Sequence, residues 1–373
     1  MTYKDQLRAA RFIAAVFSSQ INNTPLPTRD EDLSWSVILG MARAHSLLSL
    51  VFPLYEERLS RELSPSVYSF CAREVSILGA KHLSQKSEFS AVTERFINEG
   101  IYFMPLKGFL IKSLYPSEDM RAMNDLDLMV FPESRKKAGE LLLSMGYSAA
   151  ETCYVHDNYL KPPFIEIEMH KILAEDWEGY SLEDSLPSER SQYWRLMNDE
   201  DFFIFILKHA AKHDNSGGCG IRSVFDIHLL KRELLPRIGE ARLLRRISEE
   251  GLTDFYLRLS YLEELWLGDG MECGELSDFE IYTVSGGAYG TRANGVSRHL
   301  GKGKFRFFLS RLFPSYSFMK KAFPVLKKCP ILLPFLYPWR LIRGIMRGSH
   351  KKDLDAIKRS EENEGSIKEY KDA

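Results

Sequence analysis

The sequence contains few cysteines, and none of them forms a close pair. Five occur in 373 residues, namely Cys71, Cys153, Cys219, Cys273 and Cys329. Their wide spacing and odd number argue against a disulfide framework and against a structural zinc site built on CxxC pairs. This usage is typical of a protein that folds in a reducing compartment.

The sequence also lacks a long uninterrupted apolar run. A membrane-spanning helix needs about 20 predominantly apolar residues, and no such run occurs. Residues 1–20 have the pattern of an amphipathic helix, in which polar residues interrupt the apolar core that a signal peptide requires. We therefore expect a cytoplasmic protein without a transmembrane segment.

Acidic residues are absent from residues 301–350, although the formal net charge of the whole chain is −1. The segment contains eleven basic residues, which are Lys302, Lys304, Arg306, Arg311, Lys320, Lys321, Lys327, Lys328, Arg340, Arg343 and Arg347. Prolines interrupt its aromatic and aliphatic clusters, which predicts short amphipathic helical pieces. They are expected to contact an anionic membrane or nucleic acid, or to pack on the acidic remainder of the chain. Residues 351–373 are dense in charge and predicted to be disordered.

A change of hydrophobic pattern near residue 101 divides the rest of the chain. Residues 1–100 have apolar side chains at helical spacing and are predicted to form a helical N-terminal region. Residues 101–175 follow the order β-α-β-α-β-β, which predicts a small mixed sheet with helices on one face. From Asp176 to residue 300 we expect a second helical domain. The predicted fold class is α+β, a mixed-sheet core between helical N-terminal and C-terminal domains.

The predicted elements are as follows. In the N-terminal region, helices are expected at residues 1–20, 32–59 with a break near Pro53, and 64–99. In the core, strands are expected at 101–105, 125–131, 147–155 and 163–170, and helices at 109–115 and 133–145. His156, Asp157 and Asn158 have turn-prone side chains and are predicted to form a turn.

Two carboxylates, Asp125 and Asp127, stand two residues apart in the motif Asn-Asp-Leu-Asp-Leu-Met-Val. Residues two apart on a strand point to the same face, while Leu126, Leu128 and Val130 point to the other, apolar one. Like charges this close repel each other unless a cation neutralises them. Mg²⁺ bound by carboxylates and substrate phosphates is a common solution. The spacing alone also fits an exposed acidic strand end.

A second acidic strand ends at His170. Glu166, Glu168 and His170 alternate with apolar residues, so their side chains share one face. Beside an Asp-x-Asp strand, a third carboxylate can bind a second metal ion or activate the attacking group in nucleotidyl transfer. Either glutamate can supply it, and a solvent-facing strand side is the structural alternative.

Three further features have structural as well as functional interpretations. His209 and His213 stand at i and i+4 without the neighbouring Glu of a zinc-protease motif, and they are predicted to pack or to line a cleft. Arg222 and Asp226 have the spacing of a helix salt bridge. Residues 285–290 are rich in glycine but lack the spacing of a nucleotide-binding loop, so we interpret them as a flexible loop that can act as a lid.

Together, these motifs resemble the uncharacterised bacterial nucleotidyltransferase family of the DNA polymerase β-like superfamily. The resemblance covers about residues 35–300 and rests on LKG, LYP, RxMNDLDLMV, EMH, KHAAKH and RxxxD. It implies an enzyme that transfers a nucleoside monophosphate from an NTP to an acceptor and releases pyrophosphate. It also implies a site with two Mg²⁺ ions. The basic C-terminal region is similar to extensions in that family.

The resemblance implies roles for individual residues. Asp125 and Asp127 match the metal-binding pair, and Glu168 matches the third catalytic carboxylate. Lys107-Gly108 stands in place of a phosphate-handling Gly-Ser turn, with Phe109 where a Ser would help to hold the triphosphate. The residues expected to bind the nucleotide are Lys107, Gly108, Arg121 and Asn124, together with backbone N–H groups at the helix start.

A second function fits the same residues. The fold can serve a non-catalytic protein that senses a nucleotide, or one that docks on a partner or membrane through residues 301–350. The missing Ser favours this function, whereas the complete carboxylate set favours catalysis. The acceptor, whether RNA, protein or small molecule, and the base of the NTP are not encoded in any motif.

Overall fold

The computed structural model describes most of the chain. The described residues are 3–174, 177, 179–268, 277–291, 313–314, 316, 319, 323–327 and 329–346. The predicted disordered tail at 351–373 and much of the basic segment 301–350 lie outside them. Within the described residues, no helix is both long and apolar enough to span a membrane.

The N-terminal region is helical, as predicted. It contains α1 (Tyr3–Asn22), α2 (Trp35–Ala44), α3 (Leu48–Val51), α4 (Glu56–Glu62) and α5 (Pro65–Asn98). The predicted helix at 32–59 is divided at two points, because Ser46 has a positive φ of 58° and Pro53 opens a 3₁₀ turn. α5 begins with proline in its first turn and ends before Gly100, whose φ is 67°.

A seven-stranded mixed sheet follows. Its strands are β1 (Phe103–Pro105), β2 (Leu126–Val130), β3 (Ser148–Thr152), β4 (His156–Lys161), β5 (Ile165–His170), β6 (Leu186–Ser188) and β7 (Ser191–Leu196). Their order across the sheet is β3-β4-β5-β2-β1-β7-β6. β2 pairs with β1 antiparallel and with β5 parallel, so the two acidic strands are direct neighbours. The predicted α+β class is confirmed.

Two predictions about the strands were wrong. The segment His156–Asn158 was predicted as a turn, but it begins β4 and pairs with β5. The segment after Asp176 was predicted to be helical, but residues 186–196 form the β6–β7 hairpin, which joins the sheet beside β1. Trp194 explains the second difference, because its ring packs on Phe89 and Phe103 and this burial outweighs local propensity.

Further helices occur in the described part of the chain. They are α6 (Gly108–Lys112), α7 (Arg135–Ser144), α8 (Asp199–Ser216), α9 (Gly220–Ile238), α10 (Glu240–Glu249), α11 (Thr253–Leu267), α12 (Ser277–Ser285) and α13 (Leu333–Met346). α8 begins at Asn198, whose side chain accepts a hydrogen bond from the Asp201 N–H, and its acidic first turn suits the helix dipole.

Both faces of the sheet are packed, whereas helices were expected on one face only. Phe103 and Val130 belong to a core that the sheet shares with α5 and α7. Met104 and Met129 belong to a second core shared with the helical body. On this second face the β2 side chains change from apolar at Met129 to acidic at Asp127, and the cleft begins at this change.

Candidate active site

A cleft of about 900 Å³ lies between the sheet and helices α8 and α9. Residues from the start of β2, the end of β5, the β1–α6 turn and the two helices line it. The predicted site residues that line it are Lys107, Gly108, Arg121, Asn124, Asp125, Asp127 and Glu168. The fold therefore brings residues 61 positions apart in the chain to one concave surface.

The parallel pairing of β2 and β5 brings the carboxylates together. It sets Asp127 directly opposite Glu168, and Asp125 immediately precedes β2. The Leu106 N–H donates a hydrogen bond to the main-chain oxygen of Asp127 at 2.9 Å, which ties the end of β1 to the same point. Three carboxylates thus face one cleft, as the alternation of both strands predicted.

Glu166, the alternative third carboxylate, has a different environment. Its Oε1 accepts a hydrogen bond from Asn158 Nδ2 at 2.8 Å. Within the described residues it does not line the cleft, whereas Glu168 does. The geometry therefore favours Glu168 as the partner of Asp125 and Asp127.

Lys107 points toward the carboxylates. Its Nζ donates to Asp127 Oδ1 at 2.5 Å and lies 3.9 Å from Glu168 Oε2. Its backbone has φ 45° and ψ −119°, a combination that glycine adopts readily and that costs other residues about 1–3 kcal/mol. Such strain persists only where the surrounding structure enforces it, and here it aims the ammonium group at the acidic strands.

His170 is a site residue that the motif assignments omitted. Its Nε2 lies 2.9 Å from Asp127 Oδ1 and 3.3 Å from Glu168 Oε2, and its side chain is almost fully buried. The signal for it was present in the sequence, because His170 shares the strand face of Glu168 two residues earlier. It holds both carboxylates in place through one ring nitrogen.

The two aspartates differ in their electrostatics. Burial, together with the charges of Asp127 and Glu168, raises the pKa of Asp125 to about 6. Burial would also raise the pKa of Asp127, but Lys107 and His170 outweigh it and hold that pKa well below its usual range. The pKa of His170 is raised, because its hydrogen bonds to Asp127 and Glu168 outweigh the effect of burial. Asp127 is therefore the firmly ionised member of the pair.

The donor set fits a divalent metal ion. Asp127, Glu168 and His170 each offer one ligand atom, and these atoms lie within 4.8 Å of one another. Asp125 adds a further carboxylate to the same cleft. Carboxylate oxygens are the ligands that Mg²⁺ and Mn²⁺ prefer, and an imidazole nitrogen is common for transition metals.

Arg121 lies in a buried ion pair rather than free in the cleft. Its Nε and Nη2 donate to the two carboxylate oxygens of Asp226 at 2.8 and 2.7 Å. Tyr115 also donates to Asp226, at 2.8 Å. The predicted helix salt bridge between Arg222 and Asp226 was wrong, because Arg222 Nη1 donates to the Ala122 carbonyl instead.

The Lys107-Gly108-Phe109 turn is closely packed, and Gly108 has no space for a side chain. A Cβ atom at Gly108 would lie 2.8 Å from Met123 Sδ and 2.9 Å from Arg121 Nη1. The ring of Phe109 stacks on Phe89 with centroids 3.5 Å apart, so it packs against α5. The departure from a Gly-Ser turn is therefore accommodated by local packing.

The opposite wall of the cleft carries aromatic and imidazole rings. His209 and His213 line the cleft, as predicted, with their Nε2 atoms 3.1 Å apart. Burial lowers the pKa of His213 to about 4 and that of His209 well below its usual value. Asn124 Nδ2 donates to the hydroxyl of Tyr289 at 3.0 Å, and Arg222 lies over the Tyr289 ring. The imidazoles of His209 and His213 in this wall are therefore uncharged near neutral pH.

The glycine-rich segment that carries Tyr289 is packed against the body of the protein. The Thr291 N–H donates to the Gly217 carbonyl at 3.1 Å, and the Ala288 N–H donates to the Ala44 carbonyl at 2.9 Å. A Cβ atom at Gly217 or Gly220 would lie 2.2 or 2.5 Å from main-chain oxygens of this segment. Glycines on both sides permit this close approach, in place of the flexible loop that was expected.

The mixed sheet, its acidic cleft and the helices on either side are consistent with a nucleotidyltransferase core. Residues 31–268 match the sequence model of a family described as uncharacterised nucleotidyltransferase, and the chain belongs to that family. The matched range contains Lys107, all three carboxylates and His170. No curated protein and no solved structure matched the chain.

Proposed function

We propose that the chain is a Mg²⁺-dependent nucleotidyltransferase of the DNA polymerase β-like type. It transfers a nucleoside monophosphate from an NTP to the hydroxyl or phosphate of an acceptor and releases pyrophosphate. The observation that carries this proposal is the convergence of Asp125, Asp127 and Glu168 on one cleft, in a chain that belongs to a nucleotidyltransferase family. The cytoplasm, where NTPs are abundant, is the proposed location.

In this mechanism Asp125 and Asp127 would hold a divalent metal ion, and Glu168 would complete a second cation position. When bound, the metal would neutralise charge on the phosphates. Glu168 accepts the proton of an acceptor hydroxyl. The acceptor oxygen forms a bond to the α-phosphorus, and the bond to the leaving pyrophosphate breaks. His170 keeps Asp127 and Glu168 in one orientation during these steps, because its Nε2 lies within 3.3 Å of both.

The rest of the cleft offers a place for the nucleoside. Its volume of about 900 Å³ lies within the range of about 300–1,000 Å³ that is usual for small-molecule and cofactor sites. The rings of His213 and Tyr289 meet edge to face with centroids 5.8 Å apart, and Asn124 lies beside the hydroxyl of Tyr289. A base can stack on one of these rings, since aromatic stacking accepts any base.

Single substitutions test the carboxylate assignment. Asp125→Asn, Asp127→Asn and Glu168→Gln should each abolish Mg²⁺-dependent pyrophosphate release from NTPs. Glu166→Gln is the matched control, because Glu166 is a glutamate on the same strand face that bonds to Asn158. Unchanged turnover in either aspartate variant would exclude the mechanism. Loss in Glu166→Gln but not in Glu168→Gln would move the third carboxylate to Glu166.

The acceptor can be identified by labelling. Cell extract is incubated with the protein and with each NTP labelled on its α-phosphate. A labelled RNA, protein or small molecule should appear, and it should not appear when Asp127→Asn replaces the wild-type protein. The alternative is a non-catalytic nucleotide sensor on the same fold. Titration calorimetry that shows NTP binding, with no pyrophosphate release in any extract, would favour the sensor.

A contact with an anionic surface is proposed for residues 301–350. All exposed side chains between residues 329 and 340 are apolar or cysteine, in a repeat of proline and a large apolar residue every four positions. Ile331, Phe335 and Trp339 are 80%, 74% and 57% exposed. An apolar helix face beside many basic residues suits the surface of an anionic membrane. The protein would then be peripheral at a membrane.

Liposome co-sedimentation tests this contact. The protein should bind vesicles that contain anionic lipid, and the double variant Phe335→Ser/Trp339→Ser should bind them weakly. Leu257→Ser, which changes another exposed large side chain outside this region, is the control. Equal binding to neutral vesicles, or binding that survives the double substitution, would contradict it.

A further inference from the structure

A positively charged side chain already lies between two of the three carboxylates. The Nζ atom of Lys107 is 2.5 Å from Asp127 Oδ1, 3.9 Å from Glu168 Oε2 and 3.5 Å from His170 Nε2. The side chain is 16% exposed, so the charge lies inside the site rather than at its rim. These three neighbours are the same three residues whose atoms could hold a metal ion.

The backbone is built to hold Lys107 there. Its positive φ belongs to a region that glycine adopts readily, yet the residue is a lysine. On one side Leu106 is tied to the Asp127 main chain, and on the other Gly108 is enclosed by Met123 and Arg121. A lysine that merely bound phosphates could occupy an unstrained position at the rim of the cleft. The strained backbone places the ammonium group at the carboxylates instead.

We infer that the ammonium group of Lys107 permanently occupies the cation position between Asp127 and Glu168, so that the chain binds one divalent ion rather than two. This inference rests on the proposed function. The ion that remains is bound through Asp125 and the second oxygen of Asp127, together with the NTP phosphates. Lys107 is then a built-in replacement for the ion that the third carboxylate holds in a two-metal site.

The hydrogen bonds assign the two carboxylate oxygens of Asp127 to different cation positions. Lys107 and His170 both bond to Oδ1, and neither bonds to Oδ2. On Glu168, Oε2 is the atom nearest to Lys107 and His170, whereas Oε1 faces His156 at 3.8 Å. Oδ1 of Asp127 and Oε2 of Glu168 therefore belong to one cation position. Oδ2 of Asp127 and the carboxylate of Asp125 remain for the other.

The two positions also differ in ligand chemistry. Ions in two-metal sites lie about 3.5–4 Å apart, and Mg²⁺ needs oxygen ligands at about 2.0–2.1 Å. An ion that bridged Asp127 Oδ1 and Glu168 Oε2 at that distance would compete for the space that the Lys107 ammonium group occupies beside both oxygens. An ammonium group donates hydrogen bonds but cannot lower the pKa of an acceptor hydroxyl by coordination. Deprotonation of the acceptor then depends on Glu168, which His170 orients.

Metal stoichiometry tests the inference directly. Mn²⁺ binding is measured by titration with electron paramagnetic resonance, in the presence of a saturating non-hydrolysable NTP analogue and after correction for Mn²⁺ on the free analogue. The wild-type chain should bind one ion, and Lys107→Met, which keeps the length of the side chain without its charge, should bind two. Lys212→Met is the matched control, because Lys212 is an exposed lysine of the same cleft, and it should bind one ion.

Thermal stability gives a readout that does not depend on a nucleotide. In EDTA, Lys107→Met should melt at a lower temperature than the wild type, because Asp127 and Glu168 lose their cation. Added Mn²⁺ should raise the melting temperature of Lys107→Met by several degrees more than that of the wild type or of Lys212→Met. If Lys107→Met does not fold, Lys107→Gly replaces it, because glycine relieves the backbone strain while removing the charge.

The outcomes separate this inference from the proposed function. The role of Lys107 would be overturned by any of three results. These are two ions bound to the wild-type chain, no ion bound to it, or a single ion bound to Lys107→Met or its replacement Lys107→Gly. Turnover would still be judged by pyrophosphate release from the wild type and the aspartate variants. Conversely, the predicted change from one ion to two would support the role of Lys107 even if no acceptor were found.

Discussion

The guanidinium of Arg121 donates two hydrogen bonds to the carboxylate of Asp226, and each side chain is only 8% exposed. The pair joins the loop before β2 to helix α9, on the opposite wall of the cleft. Tyr115 adds a third bond to the same carboxylate. The geometry of the cleft therefore depends on a buried ion pair that contributes no group to the acidic site itself.

Removal of one partner of this pair should destabilise the protein strongly. Arg121→Met should lower the free energy of unfolding by about 3–5 kcal/mol, because it leaves Asp226 buried and without its charge partner. The double variant Arg121→Met/Asp226→Leu should lose less than the sum of the single variants, since no unpaired charge remains. Urea denaturation followed by circular dichroism measures these differences.

An exposed pair of the same residue types provides the control. Arg237 also donates two hydrogen bonds to one aspartate, Asp199, but these side chains are 51% and 41% exposed. Arg237→Met should cost no more than about 1 kcal/mol, as is usual for surface pairs. Equal losses in Arg121→Met and Arg237→Met would show that burial does not set the strength of the inner pair.

The two aspartates of the acidic strand should respond to substitution with opposite signs in the metal-free protein. Asp125 has its pKa raised to about 6, so its ionised form is disfavoured in the folded state. Its contribution to stability is greatest at low pH and is lost as the pH rises through about 6. Asp125→Asn should therefore raise stability at pH 8. The gain should be at most about 3 kcal/mol, because a pKa difference of one between the folded and unfolded states corresponds to about 1.4 kcal/mol.

Asp127→Asn should instead destabilise the protein at pH 8. The pKa of Asp127 is held low by Lys107 and His170, so its ionised form stabilises the folded state above the unfolded pKa. Thermal melts of both variants in EDTA between pH 4 and pH 8 measure the two effects. Changes of the same sign in the two melting temperatures would contradict the difference in environment between the two carboxylates.

Local patterns predicted the acidic strands well. The alternation around Asp125, Asp127 and Glu168 determined which side chains share a face, and neighbouring strands then placed those faces together. The period of a strand is a property of the backbone, so it can be identified from sequence. His170 belonged to the same pattern, and only its hydrogen bonds to both carboxylates required the structure.

Other features depend on contacts between distant residues and could not be predicted in this way. The spacing of Arg222 and Asp226 indicated a helix salt bridge, but Arg121, 105 residues earlier, takes the carboxylate. β7 lies in a segment without clear alternation, and it is stabilised by the packing of Trp194 on Phe103. The direction of Lys107 follows from its φ angle, which no sequence rule assigns to a lysine.

The buried imidazole of His45 should make stability depend on pH below neutrality. Its Nε2 donates to the Val284 carbonyl at 2.9 Å, and its Nδ1 accepts from the Ile221 N–H at 3.1 Å, so the neutral ring is the bound form. Burial lowers its pKa to about 4. The contribution of His45 to the free energy of unfolding is complete above about pH 6.5. It decreases as the pH falls toward 4, by up to about 1.4 kcal/mol for each pH unit.

The variant His45→Gln isolates this effect. It should be less stable than the wild type at pH 7.5, because one side chain amide cannot reproduce both ring contacts. The difference between the two proteins should shrink as the pH falls from 6.5 to 4. Since His209 and His213 also titrate, the comparison must use this difference rather than the wild-type curve alone. A difference that is constant with pH would contradict the neutral, buried state of His45.

The close approach of two glycine-containing segments should make Gly220 intolerant of any side chain. Its φ is 71°, and an added Cβ would lie 2.5 Å from the Gly287 oxygen and 2.9 Å from Ala288 Cα. Gly251 has a similar φ of 68°, but no atom lies within 4 Å of the corresponding position. Gly251→Ala should therefore cost about 1 kcal/mol from backbone strain alone. Gly220→Ala should cost clearly more in chemical denaturation, because the segment that carries Tyr289 must also move. Gly220→Ala should also weaken nucleotide binding, since Tyr289 would leave its position beside Asn124. Equal effects of the two substitutions on stability would show that the main-chain contact does not constrain this wall of the cleft.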